Sequence, residues 1–117
     1  FLSGTVDGTW YWNIETGIWN RIEGGLEPTN RYGASMVYDP IMDRTILFGG
    51  RSDTSLFNDT WIFEKEEWIE IKSTVLPSKR SGAGMFYDPV RKRVLLFGGL
   101  EDLTFHDDMW ELILPED

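Results

Sequence analysis

Residues 28–67 read PTNRYGASMVYDPIMDRTILFGGRSDTSLFNDTWIFEKEE, and residues 77–116 read PSKRSGAGMFYDPVRKRVLLFGGLEDLTFHDDMWELILPE. The two lines align without a gap at a constant shift of 49, from Pro28 to Pro77. Identities begin with Pro28/Pro77, Arg31/Arg80, Gly33/Gly82, Ala34/Ala83, Met36/Met85, Tyr38/Tyr87, Asp39/Asp88 and Pro40/Pro89. They continue through Arg44/Arg93, Leu47/Leu96, Phe48/Phe97, Gly49/Gly98, Gly50/Gly99, Asp53/Asp102, Asp59/Asp108, Trp61/Trp110 and Glu67/Glu116. The same shift reaches backwards, placing Trp12, Trp19 and Ile22 on Trp61, Trp68 and Ile71. A repeat of this period means one supersecondary unit copied along the chain, each copy burying its apolar face against the next. The units are 1–27, the end of one; 28–76, a whole one; and 77–117, one lacking its last strand.

Each unit reads as four strands. The first is Ala34–Tyr38 and Ala83–Tyr87; the second is Arg44–Phe48 and Arg93–Phe97. The third is Tyr11–Ile14, Thr60–Phe63 and Met109–Leu112; the fourth is Trp19–Ile22 and Trp68–Ile71. The second strand is apolar on both faces, as Ile46-Leu47-Phe48 and Val94-Leu95-Leu96-Phe97 show, so its sheet is expected between two others. Phe48, Phe97, Leu47, Leu96, Trp61 and Trp110 are therefore expected to be buried. The fourth strand alternates, Trp68 and Glu70 against Ile69 and Ile71, as an outer strand does.

The punctuation agrees. Asp39-Pro40 and Asp88-Pro89 suit a type I turn, where the Asp oxygen accepts a backbone N–H and Pro has its φ already set. Thr16-Gly17 suits a hairpin turn. Gly49-Gly50 and Gly98-Gly99 are expected to end the second strand at a positive φ or a close backbone approach. Neither pair reads as a phosphate cradle, because no helix and no Lys/Ser follow. Four strands per unit, repeated, indicate an all-β propeller built from radially arranged sheets.

Composition narrows the function. The chain has 117 residues, 41% hydrophobic and 15% aromatic, and no apolar run long enough to cross a bilayer. With no cysteine, disulfides, zinc ribbons and thiol chemistry are excluded. The net charge of -9 is spread evenly: four acidic residues against one basic in the first unit, then eight against five in each of the others. Without a basic stripe, binding to nucleic-acid phosphates is disfavoured.

Gly-Gly after the second strand, then Asp59-Thr60-Trp61, then Trp68 seven residues on, resembles the kelch repeat. Pro-x-x-Arg-x-Gly-Ala and Tyr-Asp-Pro fit as well. Tyr38, Tyr87, Gly49, Gly50, Gly98, Gly99, Asp59, Asp108, Trp61, Trp110 and Trp68 are the residues that match the motif. Two departures stand out: Trp10 where Asp59 and Asp108 stand, and Asp117 in place of the second Trp. The resemblance implies blades like those of galactose oxidase, here about two and a quarter four-stranded antiparallel ones. A closed propeller needs about four to eight. The chain is therefore expected to be a fragment, its partners including the remaining blades. The Asp-x-Trp-x-Phe style of the third strand resembles prokaryotic multi-kelch proteins, often exported, which points to the cell surface or beyond.

The resemblance also implies that the loop-rich end binds partners. That end holds the connection after the second strand, Gly50–Asn58, and the one after the fourth, 72–82. Positions there that differ between units are the binding candidates: Asn30/Lys79, Tyr32/Ser81, Arg51/Leu100 and Phe57/His106. Arg31 and Arg80 join them, although their recurrence favours a structural task, pairing with a recurring Asp or with loop carbonyls. Asp59 and Asp108 are expected to tie down their own loops through backbone N–H groups. Glu101, Asp102, Asp107 and Asp108 around His106 read as a solvated acidic loop rather than a calcium site. Copper oxidases with kelch-like blades use several His and a Cys; one His and no Cys argue against that chemistry. The expected function is a binding or scaffold module for a protein or carbohydrate, with no catalytic, metal or cofactor residues. The alternatives are part of a sugar-acting propeller enzyme and purely structural blades.

Overall fold

The computed structural model describes residues 8–114, so the Glu67/Glu116 match and Asp117 lie outside it. Turn chemistry sets the strands. Asp39 Oδ1 accepts the amides of Ile41 and Met42 at 2.9 and 3.2 Å, and Asp88 Oδ1 those of Val90 and Arg91 at 3.0 and 3.2 Å. Each loop returns through a residue at positive φ, Asp43 or Lys92. In the first unit Asn13 Oδ1 caps the turn, and Gly17 takes φ 71° while its amide reaches the Asn13 carbonyl at 2.8 Å.

The strands are β1 (Thr9–Asn13) and β2 (Ile18–Ile22), then β3 (Ser35–Asp39), β4 (Arg44–Arg51), β5 (Leu56–Glu64) and β6 (Glu67–Ile71). The third unit has β7 (Gly84–Asp88), β8 (Arg93–Phe97), β9 (Leu100–Glu101), β10 (Thr104–Phe105) and β11 (Met109–Leu112). All pairings are antiparallel: β1-β2, β3-β4-β5-β6, β11-β8-β7 and the short hairpin β10-β9. The nine expected strands are present in groups of two, four and three, and β9–β10 adds a hairpin. Among the described residues there is no helix, hence none that could cross a membrane.

One expectation is corrected at the glycines. Gly49-Gly50 do not end the second strand: β4 runs on to Arg51, with a bulge between Phe48 and Gly50. Glycine at φ 67° and 97° lets the strand bend there and resume its ladder against Leu56 and Phe57. The long loop Gly50–Asn58 is thus a hairpin, turned at Ser52 by its hydroxyl on the amides of Thr54 and Ser55. In the third unit β8 does stop at Phe97, and β9–β10 form the corresponding hairpin.

Packing follows from the registers. Val37, Ile46, Ile62 and Ile71 share one face of the middle sheet and meet Met85, Tyr87, Val94, Leu112 and Leu114 of the third unit. Leu47 and Trp61 are buried on the opposite face. The middle sheet is therefore covered on both sides. The third is not: Leu96 is buried and Trp110 half-buried, but Phe97 is exposed. The expectation of burial at Phe97 fails because it points from the outer face, with Phe86 and Met109, where no described residue lies. At the other end Trp10, Trp12 and Trp19 are exposed on the first sheet.

Candidate functional site

The loop-bearing end is organised by two copies of one network. Arg31 is 2% exposed, and its five N–H donors all find acceptors. Nε donates to the Thr29 carbonyl at 3.0 Å and Nη2 to Thr29 Oγ1 at 3.2 Å. Nη1 reaches the Gly49 carbonyl at 3.1 Å, and the fork holds Asp59 at 2.5 and 3.0 Å. Trp61 Nε1 donates to the same carboxylate at 2.8 Å. Arg80 repeats this with Ser78, Gly98, Asp108 and Trp110. A buried guanidinium is tolerated because every donor is met and the carboxylate is bidentate.

The carboxylates carry the imprint. Burial pushes Asp59 up, but its bonds from Arg31 and Trp61 outweigh that and hold it below the ordinary value. The Arg80 and Trp110 donors hold Asp108 well below the usual carboxylate range.

Two expectations change here. Arg31 and Arg80 have no donor left for a ligand; they tie the entry of each unit to its own second and third strands. Asp59 and Asp108 serve those arginines and the indoles first, each also taking a lesser bond from its own backbone amide. Thr29 and Ser78 complete the networks; their recurrence as a hydroxyl two residues before each Arg was the available signal.

The remaining candidates sit around this frame. Tyr32 and Arg51 are brought together by paired backbone bonds, each 2.8 Å, and the Arg51 guanidinium lies 5.9 Å from the Tyr32 ring centre. Tyr32 is exposed, Arg51 half-buried. Phe57 covers Arg31, its ring centre 4.1 Å from the guanidinium carbon. At the equivalent place His106 Nε2 is 3.0 Å from Glu101 Oε1 and 3.4 Å from Ser78 Oγ. Asn30 and Lys79 are exposed, with Asn30 Oδ1 accepting the Gly8 amide at 3.5 Å.

This end also carries the joint between units. The Gly50 amide donates to the Arg80 carbonyl at 2.9 Å, and the Arg80 amide to the Phe57 carbonyl at 3.1 Å. The Gly82 amide reaches the Gly33 carbonyl at 2.8 Å, and Ser35 Oγ the Ala83 carbonyl at 2.7 Å. The second and third units are therefore tied to each other at this end through backbone bonds. A family model described as the KLHDC2/KLHL20/DRC7 Kelch-repeats domain matches residues 3–116. No curated protein matches the chain.

Proposed function

The chain belongs to the kelch-repeat family, and on that premise we propose that it is a protein-binding scaffold whose loop-bearing end is the contact surface. The observation that carries this reading is the contrast between a constant frame and varied tips. Arg, Asp and Trp repeat with the same partners in both units. The positions mounted on them change: Tyr32 to Ser81, Arg51 to Leu100, Phe57 to His106. Loops on a rigid scaffold are where recognition residues can vary without cost to the fold.

Tyr and Arg are the residue types that anchor protein interfaces. The experiment is capture from a lysate by the chain and by a Tyr32→Ala/Arg51→Ala/His106→Ala variant, with glycans offered in parallel. The variant leaves both Arg–Asp–Trp networks in place, so its circular dichroism and melting should match the parent. Proteins retained by the parent and lost by the variant support the reading. Equal retention by both, or retention of glycans alone, overturns it.

A further inference from the structure

The β9–β10 hairpin is fixed at its base and apolar at its tip. Paired backbone bonds tie Leu100 to Ser81 at 2.8 and 3.0 Å, and the His106 amide donates to the Gly99 carbonyl at 2.9 Å. Glu101 faces Thr104 across the ladder, and its carboxylate lies 3.0 Å from His106 Nε2. Asp102 turns the chain at φ 53°. Beyond these ties Leu103 is 95% exposed and Phe105 83%. Apolar groups held in water by a fixed hairpin gain free energy when a partner's apolar surface covers them, and little ordering entropy is lost in the process.

The exposure at Leu103 does not depend on which units flank it. Shifted back by 49, its counterpart is Thr54, and Asp53, Thr54 and Ser55 are all exposed although the following unit is in place. Phe105 corresponds to Leu56, which keeps part of its surface in that setting. The two tips differ in chemistry. Arg51-Ser52-Asp53-Thr54-Ser55 is polar and carries one charge of each sign, whereas Leu100-Glu101-Asp102-Leu103-Thr104 is apolar and acidic.

Charge is segregated within this unit. From Val94 to Asp117 there is no Lys or Arg, against seven Asp and Glu. Of the unit's cations, Arg80 is buried against Asp108, and Arg91, Lys92 and Arg93 lie around the turn between β7 and β8, at the opposite end; Lys79 shares the loop-bearing end. At the tip Asp102 is exposed, and the Glu101 side chain remains 40% exposed beside His106. We propose that the β9–β10 tip is a contact for a basic protein segment that carries a large apolar side chain. Leu103 and Phe105 take the apolar group, and Glu101 and Asp102 face the Lys or Arg on either side of it. Charge complementarity selects that partner over an acidic one. The inference rests on the loop-tip reading above and states the partner's chemistry.

The test titrates the full chain with a short peptide in which a Leu-Phe pair is flanked by Lys and Arg on both sides, followed by NMR at the Asp102, Leu103 and Thr104 amides. Two control peptides carry Glu in place of every basic residue, or Ser in place of the Leu-Phe pair. A saturable shift is expected with the first peptide, with affinity falling as salt is raised. Leu103→Ser changes a side chain already in water, so melting should match the parent while binding weakens by about tenfold or more. Asp102→Asn, a residue that accepts positive φ, should weaken binding by about two- to fivefold and flatten its salt dependence. No saturable shift at the tip, or an equal one with either control peptide, overturns the proposal. Concentration-dependent shifts at the tip without peptide would assign it to a second copy and overturn it as well. Shifts at Tyr32 and Arg51 with none at the tip sink the tip and leave the loop-tip reading standing. No shift at either place, together with equal lysate capture by the Tyr32→Ala/Arg51→Ala/His106→Ala variant, removes both.

Discussion

Phe48 and Phe97 occupy the same point of the repeat, 49 residues apart, yet Phe48 is 4% exposed and Phe97 46%. Phe48 lies just before the bulge of β4 and Phe97 at the end of β8, and both point from the same face of their sheets. Phe48 meets the neighbouring unit; Phe97 has no described neighbour on its side. Burial in this architecture is thus a property of a pair of units, and a residue's contribution depends on whether the next sheet is in place.

Truncation should reveal that dependence. Phe48→Ala removes a fully packed ring and is expected to cost about 3–5 kcal/mol. Phe97→Ala removes a ring already half in water and should cost roughly 1–2 kcal/mol. Chemical denaturation of both variants measures the gap. Equal losses would contradict the assignment of the two faces.

The Arg31 network should resist conservative replacement. Arg31→Ala leaves Asp59 and the Gly49 carbonyl without their donors and is expected to destabilise by about 3–5 kcal/mol. Arg31→Lys keeps the charge but offers three donors on a flexible stem in place of a planar fork, so it should restore less than half of that loss. Thermal or urea unfolding decides; a lysine variant as stable as the parent would show that charge alone holds the joint.

Acid should weaken the fold in a defined window. Burial raises Asp39, but the Met42 amide, Arg44 and the Ile41 amide together lower it; Asp59 and Asp108 are lowered as well. A carboxylate whose folded value lies below its unfolded value, about 3.9, stabilises fully above that unfolded value. The contribution is lost as pH falls through the folded value, because the unfolded chain takes up protons first. The melting temperature should therefore decline as pH drops below about 4. Asp59→Asn should be less stable at neutral pH and show a shallower decline. Parallel pH profiles for the two proteins would remove Asp59 from this account.

The repeat register placed all nine main strands to within a few residues, because the shift compares each strand with its own copy and the turn residues recur with it. It misjudged Gly49-Gly50. Two glycines disfavour a strand locally, and the ladder to Leu56 and Phe57, the Arg80 carbonyl and the paired Tyr32–Arg51 backbone bonds keep that strand going. The Arg–Asp pairing was half legible: Arg31 to Asp59 and Arg80 to Asp108 share a spacing of 28. The carboxylate was nonetheless read as serving its own loop, because local side-chain bonds are the commoner use of Asp before a strand. Exposure at Phe97 was not legible at all, since its sequence environment matches that of Phe48 and only the neighbouring unit differs.

The joint between units can be isolated by comparing two glycines. Gly49 and Gly98 have φ of 67° and 71°, so Ala at either position meets nearly the same backbone strain, about 1–2 kcal/mol. At Gly49 the added methyl would also lie 2.7 Å from the Arg80 carbonyl oxygen, forcing the next unit away and breaking the Gly50 amide bond to that oxygen. At Gly98 the nearest atom is the His106 carbonyl at 3.4 Å, an ordinary contact. Strain cancels in the comparison and the inter-unit hydrogen bond does not. Gly49→Ala should therefore be less stable than Gly98→Ala by about 1–3 kcal/mol, and its Gly50 amide should exchange faster than in the parent. Equal stabilities, or an unchanged Gly50 exchange rate, would mean that the Arg80 segment is held by side-chain packing and that the backbone joint carries little of the coupling.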